Sequence, residues 1–395
     1  MPGPLKGYRV LSFGRVLAGP YAAMLLCDMG AEVIKVEEPT KGDPARNNGP
    51  FINGISSYFF SVNRGKKSIT LNLRHEEGKE IARRLIRSVD VLIENFRPGV
   101  MDRLGLGYHA VREINPRLVF ASISGFGQTG PYAHRPAYDM VAQGMGGTVS
   151  ITGEPGRPPV RVGYSIGDMG AALFASNAIL AALLERERSG QGQWIDVAMV
   201  DSQVALCENA LARYFANGQV PRPLGSRHPL NTPFQVFPAR DGYIVLIASQ
   251  EADWERFCRL VNRPDLLEDH RFRTREGRTQ NHAELEPILV EILRSRTAAQ
   301  WLHDMEAAGI ICSPVNDIQQ VVEDQQIRSR GMIAEVQHPK LGSVKVAGTP
   351  FKLSRTSCSI EKGAPDLGQH TEDILKGLLG ATQEEIKRLR EKGVV

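Results

Sequence analysis

VLSFGRVLAGPYAAMLLCDMGAEVIKVE, residues 10–37, changes character twice along its length. VLSF has strand propensity, AGPYAAMLLCDMG is an Ala- and Leu-rich helical run closed by Gly30, and EVIKVE is a second strand ending on acid. That is a βαβ unit. Outward from it, SITLNL (68–73), VLIENF (91–96) and LVFASIS (118–124) are further short β-rich runs, and EEGKEIARRLIRSVD (76–90) supplies a helix between the first two. Strands alternating with helices predict an α/β fold with an open, mostly parallel sheet.

From about Arg222 the texture differs. RPLGSRHPLNTPFQVF (222–237) is rich in turn formers, DGYIVLIAS (241–249) reads as a strand, and EADWERFCRLVN (251–262) and HAELEPILVEILRSR (282–296) read as charged helices. We read residues 1–205 as the first part of a large domain, 206–224 as a linker and 225–325 as an inserted smaller α+β domain. Residues 326–395 form a linker and the return to the large domain, with a β-hairpin region in EVQHPKLGSVKVAGTPFKLS (335–354) and a final helix in EEIKRLREKGV (384–394).

A chain of 395 residues with 42% hydrophobic and 23% charged residues is an ordinary globular composition, long enough for two domains. The amino terminus MPGPLKGYRV has no apolar run behind a basic stretch, so no signal peptide is read and a cytoplasmic enzyme is expected. A net charge of +4 with scattered Lys and Arg points away from nucleic acid, and the Gly- and Ala-rich segment 163–184 reads as a buried helix, not a membrane span. Five cysteines stand far apart, without metal-ligand spacing, and read as small core residues; no metal is expected. The first βαβ unit invites a dinucleotide, with Glu37 as the acid that follows the second strand. However, FGRVLAGP places Gly14 and Gly19 five apart and lacks the G-x-G-x-x-G spacing that brings backbone onto a pyrophosphate.

Asp168 is the only charged residue in VGYSIGDMGAALFASNAILAALL (162–184), with Gly163, Gly167 and Gly170 around it. It reads as the cap of the apolar helix that follows, accepting a first-turn N–H. A carboxylate there is also expected to stay ionised in the field of the helix and to attack an acyl group without a separate base, the glycines letting substrate approach. Both readings can hold together.

RPAYDMVAQGMGG (135–147), ITGEPGRPPVRVGYSIGD (151–168) and RSGQGQWIDVAM (188–199) resemble the class III CoA-transferase family. LKGYRVLSFGRVLAGPYAAMLLCDMGAEVIKVE (5–37), NRGKKSITLNL (63–73), VLIENFRPGVMDRLGLGY (91–108), SGFGQTGPY (124–132) and GQHTEDIL (368–375) match family blocks in order, so the resemblance is nearly chain-long. It implies a Rossmann-like large domain made from both ends of the chain, a small domain between, and an interlocked homodimer. It also implies that no cofactor is tightly bound: coenzyme A and acyl-CoA are substrates, with small carboxylic acids as the other partners. Asp168 would attack the donor thioester to give a mixed anhydride and then an aspartyl-CoA thioester. Gln128 would orient an intermediate, and backbone N–H groups near residues 144–147 or Gly163 would meet the oxyanion. Val16, Ala18, Asn95, Phe96, Arg103, Tyr138 and Met199 match coenzyme A contacts. Arg15 and Leu17 replace a His and a Gln of formyl-CoA transferases, and Glu38 replaces an Arg, so Arg15, Lys41 and Lys66 become candidates for the phosphates.

The acceptor is read from departures. Formyl- and oxalyl-handling members carry an aromatic residue where Asn48 stands and a tetraglycine loop that is missing here, whereas GSRHPLNTPFQVF (225–237) resembles members acting on dicarboxylates. Succinyl-CoA is the expected donor and a small dicarboxylate the expected acceptor, with Arg46, Asn48, Arg135, Arg227 and His228 as candidates to hold the second carboxylate. α-Methylacyl-CoA racemases share the fold and use a His and an Asp as paired bases. Tyr138 stands where their His would be, and a neutral phenol is a poor base. A CoA-binding protein without turnover is the third reading, and it leaves Asp168 unexplained.

Overall fold

In the computed structural model, which describes residues 3–395, six parallel strands form the central sheet. They are β1 (Arg9–Ser12), β2 (Glu32–Glu37), β3 (Lys67–Thr70), β4 (Val91–Glu94), β5 (Val119–Ser124) and β6 (Trp194–Ala198). Their spatial order is β3-β2-β1-β4-β5-β6. The period of two in each strand sends alternate side chains to opposite faces. Val10, Val33, Val91 and Val119 enter one core cluster, and Leu11, Ile34, Leu92 and Phe120 enter the other.

The first cluster is closed by α1 (Ala18–Asp28) and α7 (Ile166–Ser189). Their facing residues are mostly Ala and Gly, so the two helices approach closely and bury each other. In α7 the apolar sequence is long enough to cross a membrane, yet half of that window is buried, and Ala171, Ala172, Ala175 and Ile179 lie in the core. The second cluster is closed by α3 (Glu76–Ile86) and by the carboxy-terminal helices Thr371–Leu379 and Gln383–Glu391, which contribute Ile374, Leu375, Ile386 and Leu389.

The chain divides into two compact units. One contains the segment up to Val149, Arg161–Gly218 and Gln325–Val395; the other contains Ser150–Val160 and Gln219–Asp324. The stretch 206–224, read from sequence as a linker, is helical as far as Asn217, in α8 (Met199–Leu206) and α9 (Glu208–Asn217). The second unit has its own core around Trp254, Phe257, Phe272 and Leu289, beneath a three-stranded antiparallel sheet of Phe234–Pro238, Tyr243–Ile247 and Ile311–Pro314. Residues 150–160 belong with it through Gly225 N–H donating to Gly153 O at 2.8 Å. The hairpin of Ile333–His338 and Gly342–Ala347 forms as the sequence pattern predicts.

Strand order reverses between β1 and β4, so the loops leaving their carboxyl ends lie side by side and open a crevice. The turn 13–17 and residues 95–97 meet there.

Candidate active site

Asp168 stands at the third residue of α7, not at its cap. Ser165 is the N-cap and makes no side-chain bond, while the Gly167 N–H donates to Asp139 Oδ1 at 2.8 Å, from the first residue of α6 (Asp139–Met145). A side chain at position 167 would meet that oxygen at 2.9 Å, so only glycine fits. Asp139 Oδ2 accepts from Gln143 Nε2 at 2.7 Å, and Gln143 Oε1 accepts from Val162 N–H at 3.0 Å. The capping role expected of Asp168 thus belongs to Asp139, which leaves the Asp168 carboxylate to face α1.

There the Ala18 N–H acts on it as a hydrogen-bond donor. The first-turn N–H groups of a helix have no partner within it, and Pro20 has none to offer, so Ala18 and Gly19 present the donors of this terminus. Burial first, and then the charge of Asp139, push the Asp168 carboxyl up to about 7 against the opposing Ala18 N–H; no cation is among the groups that act on it. The expectation of a carboxylate held ionised by its helix is corrected: desolvation and a like charge outweigh the dipole. Tyr58, on α2 (Ser57–Asn63), is half-buried, and its phenol is pushed up to about 12, first by burial and then by Asp168, Asp43 and Asp139. It remains an O–H donor.

The raised value has a measurable consequence for stability. Between the unfolded value near 4 and about 7 the folded chain holds a proton that the unfolded chain releases, so stability from this group falls as pH rises through that window and levels above it. Asp168→Asn is expected to be more stable than wild type by about 2 kcal/mol at pH near 8, after allowance for partial exposure, with the gap closing below about pH 4. Thermal unfolding against pH checks this.

The turn that presents Ala18 is strained and pinned. Val16 sits at φ 62°, a left-handed conformation unfavourable for a β-branched residue. Its N–H donates to Asp43 Oδ1 at 3.0 Å. Lys35 Nζ joins Asp43 Oδ2 and Gly14 O, both at 2.7 Å, with Lys35 and Asp43 side chains each 1% exposed. Burial raises the Asp43 carboxyl, but the Lys35 ammonium and the Ala45 and Val16 N–H groups outweigh it and hold it below the usual range. Asn95 completes the clamp: its Oδ1 accepts from Arg15 N–H at 2.7 Å and its Nδ2 donates to Arg15 O at 2.9 Å.

Beside this turn lies a cavity of 660 Å³ lined by Arg15, Lys41, Arg74 and Arg97, by the apolar Phe13, Val36, Leu71 and Phe96, and by Glu37 and Glu38, of which Glu37 is held by Arg46 and Glu38 accepts from the Thr40 and Lys41 N–H groups. The Arg15 guanidinium lies over the Phe96 ring, 5.3 Å from its centroid. Cations around an apolar slot suit a phosphorylated adenosine. Arg15, Val16, Ala18, Asn95 and Phe96 are therefore brought together, with Lys41 nearby. Arg74 and Arg97 were missed by sequence reading, because isolated arginines after a strand carry no spacing signal.

Other expected residues fall elsewhere. Arg103 is exposed at the end of a short helix (Val100–Arg103) and is not in the cavity lining, which Arg97 joins. Lys66 is buried and donates to Pro20 O, Val62 O and Asn63 Oδ1 at 2.7–2.8 Å, so it has no donor left for phosphate. Arg46 is held bidentately by Glu37, with both bonds at 2.7 Å, and lies 3.7 Å over Phe59, which removes it from substrate. The same pair gives Glu37 a structural partner. Gln128 lines a separate cavity of 190 Å³ with Glu94, Ser122 and Trp194, and Asp168 is not part of that lining. Met199 is buried in the core, whereas Tyr138 is 78% exposed. Gly144 lies inside α6 and Gly146 N–H donates to Ala142 O at 2.8 Å, so these two N–H groups are committed to the helix. Asn48 is exposed. In the second unit, His228 stacks on Phe234 and its Nδ1 accepts from Leu230 N–H at 3.1 Å. No group of three or more His, Cys, Asp or Glu side chains among the described residues is placed to hold a metal.

The sequence model of CoA-transferase family III matches residues 5–371. The chain is 40% identical to a succinyl-CoA:glutarate CoA-transferase of Mus musculus over 99% of its own length and 90% of the relative's. It is 41% identical to an acetyl-CoA:oxalate CoA-transferase of Acetobacter aceti, over 93% and 94% of the two chains. Its fold is similar to the crystal structure of a CAIB/BAIF family protein from Brucella suis, with a TM-score of 0.87, 37% identity and coverage of 96% and 100%. With a matching family model over nearly its whole length and named CoA-transferases among its relatives, this chain belongs to CoA-transferase family III.

Proposed function

We propose that the protein transfers CoA from succinyl-CoA to a small dicarboxylate through covalent chemistry at Asp168. The carrying observation is that one turn joins the two halves of the site: Arg15 lines the cationic cavity, and Ala18, three residues on, donates to Asp168. Nucleotide phosphates held by Arg15, Lys41, Arg74 and Arg97 would let the pantetheine arm run along residues 15–18 to bring the thioester to the carboxylate. Asp168 attacks the thioester carbonyl, the C–S bond breaks, and a mixed anhydride and CoA thiolate form. The thiolate attacks the aspartyl carbonyl, succinate leaves, and an aspartyl-CoA thioester remains. The acceptor carboxylate reverses the sequence and departs as a new acyl-CoA. The Ala18 and Gly19 N–H groups and the Tyr58 hydroxyl are the donors for the developing oxyanion, worth roughly 3 kcal/mol each by analogy with other such donors.

The donor and acceptor rest on the name of the mouse relative and on the resemblance of residues 225–237. Racemisation is disfavoured because no imidazole is among the groups acting on Asp168. A homodimer belongs to the same proposal, supported by exposed Leu173, Phe174, Leu206 and Phe215 on α7–α9; light scattering should report twice the chain mass, and a monomer would remove this element. The chemical test is mass spectrometry of the protein mixed with succinyl-CoA and then with a panel of acids that includes glutarate and oxalate. We expect a CoA adduct on Asp168 and glutaryl-CoA as product. An unmodified Asp168 during turnover would sink the mechanism, and turnover of oxalate alone would sink the dicarboxylate assignment.

A further inference from the structure

A dicarboxylate brings a second negative charge into a site whose reactive group is itself a carboxylate, so a cation must receive the far end. Several cations of the first unit are already committed. Arg46 is paired with Glu37, Lys35 with Asp43 and Arg64 with Asp28, and Lys66 is bonded to oxygens of its own surroundings. Arg135 lies over Tyr132, 3.9 Å from the ring centroid.

Arg161 is different. Its side chain is 47% exposed, and its ion pair with Asp139 Oδ2 spans 4.0 Å, too long for a hydrogen bond, to an oxygen that already accepts from Gln143. The base of the residue is nevertheless fixed, because the next N–H, that of Val162, donates to Gln143 Oε1 at 3.0 Å. Asp139 in turn takes the N–H of Gly167, the residue before Asp168. A reorientable guanidinium therefore stands one carboxylate away from the nucleophile, yet it is not among the groups that act on Asp168. A dicarboxylate with one end at the reacting carbon can turn its other end to this guanidinium and meet it in bidentate fashion.

We infer that Arg161 is the residue that selects dicarboxylates, receiving the distal carboxylate of the acceptor and of the succinyl donor. This rests on the CoA-transfer reading. The test isolates the acceptor half-reaction. Wild type, R161Q and R161K are loaded to completion with succinyl-CoA, freed of small molecules, and chased in single turnover with glutarate or with valerate, which replaces one carboxylate by methyl. The wild type should favour glutarate, and R161Q should lower the glutarate-to-valerate rate ratio about 10- to 100-fold, with R161K recovering part of it. An unchanged ratio in R161Q, whether both rates fall together or neither falls, would overturn the assignment and reduce Arg161 to a neighbour of Asp139. A wild type that shows no preference would overturn it as well. If the wild type takes up no CoA at all, the transfer reading fails first, and that outcome is separate from every ratio above.

Discussion

Asp168→Ala is expected to lower CoA exchange by about 10⁴-fold or more while CoA binding stays within a few-fold of wild type. Every bond made in the proposed cycle passes through this one carboxylate, whereas the cavity proposed for the nucleotide does not include it in its lining. Acyl-CoA exchange followed by chromatography, with calorimetric titration of CoA beside it, separates the two effects. Because the cost of this half-buried carboxylate to the folded state builds up between about pH 4 and 7 and is full above, the variant should also be no less stable than wild type at neutral pH, so lost activity cannot be blamed on unfolding. Exchange surviving within tenfold would place the nucleophile elsewhere.

The second large effect lies beneath the site. Asp43→Ala leaves the Lys35 ammonium buried without its counter-charge and removes the acceptor of the Val16 N–H, and should cost roughly 3–5 kcal/mol in chemical denaturation. Adding Lys35→Met removes the stranded charge, and most of that stability should return. Exchange should not return with it, because the acceptor that holds Val16 in its left-handed conformation is gone and the Ala18 N–H is no longer fixed on Asp168. If the double variant recovers both stability and exchange, the clamp is dispensable and the turn is set by Asn95 alone.

The sheet was legible where strands are continuous apolar runs flanked by helices, as in residues 10–37. It was less legible at its edge, where Trp194–Ala198 carries a half-exposed Trp and an Asp that blur its period; in the second unit's own sheet, Phe234–Pro238 is hidden behind a run of turn formers. In the site, Asp168 stood out because burial of a lone acid is costly and demands a reason. Asp139 did not, since an acid in the first turn of a helix is commonplace, and its grip on Gly167 joins residues 28 positions apart. Arg46 misled for the converse reason: a loop arginine looks available until the sheet brings the end of β2 against it. Partners of charged groups are set by tertiary contact, and no local pattern records them.

Neither compact unit is a single stretch of chain, and this governs how relatives could be recombined. The polypeptide passes between units at 149/150, 160/161, 218/219 and 324/325. Grafting the smaller unit from one family member onto another by a single pair of cuts, at 218/219 and 324/325, would leave the native 150–160 segment facing a foreign Gly225 and its 2.8 Å bond to Gly153 unmatched. A working chimera must therefore transplant two pieces together, and the shorter one ends immediately before Arg161.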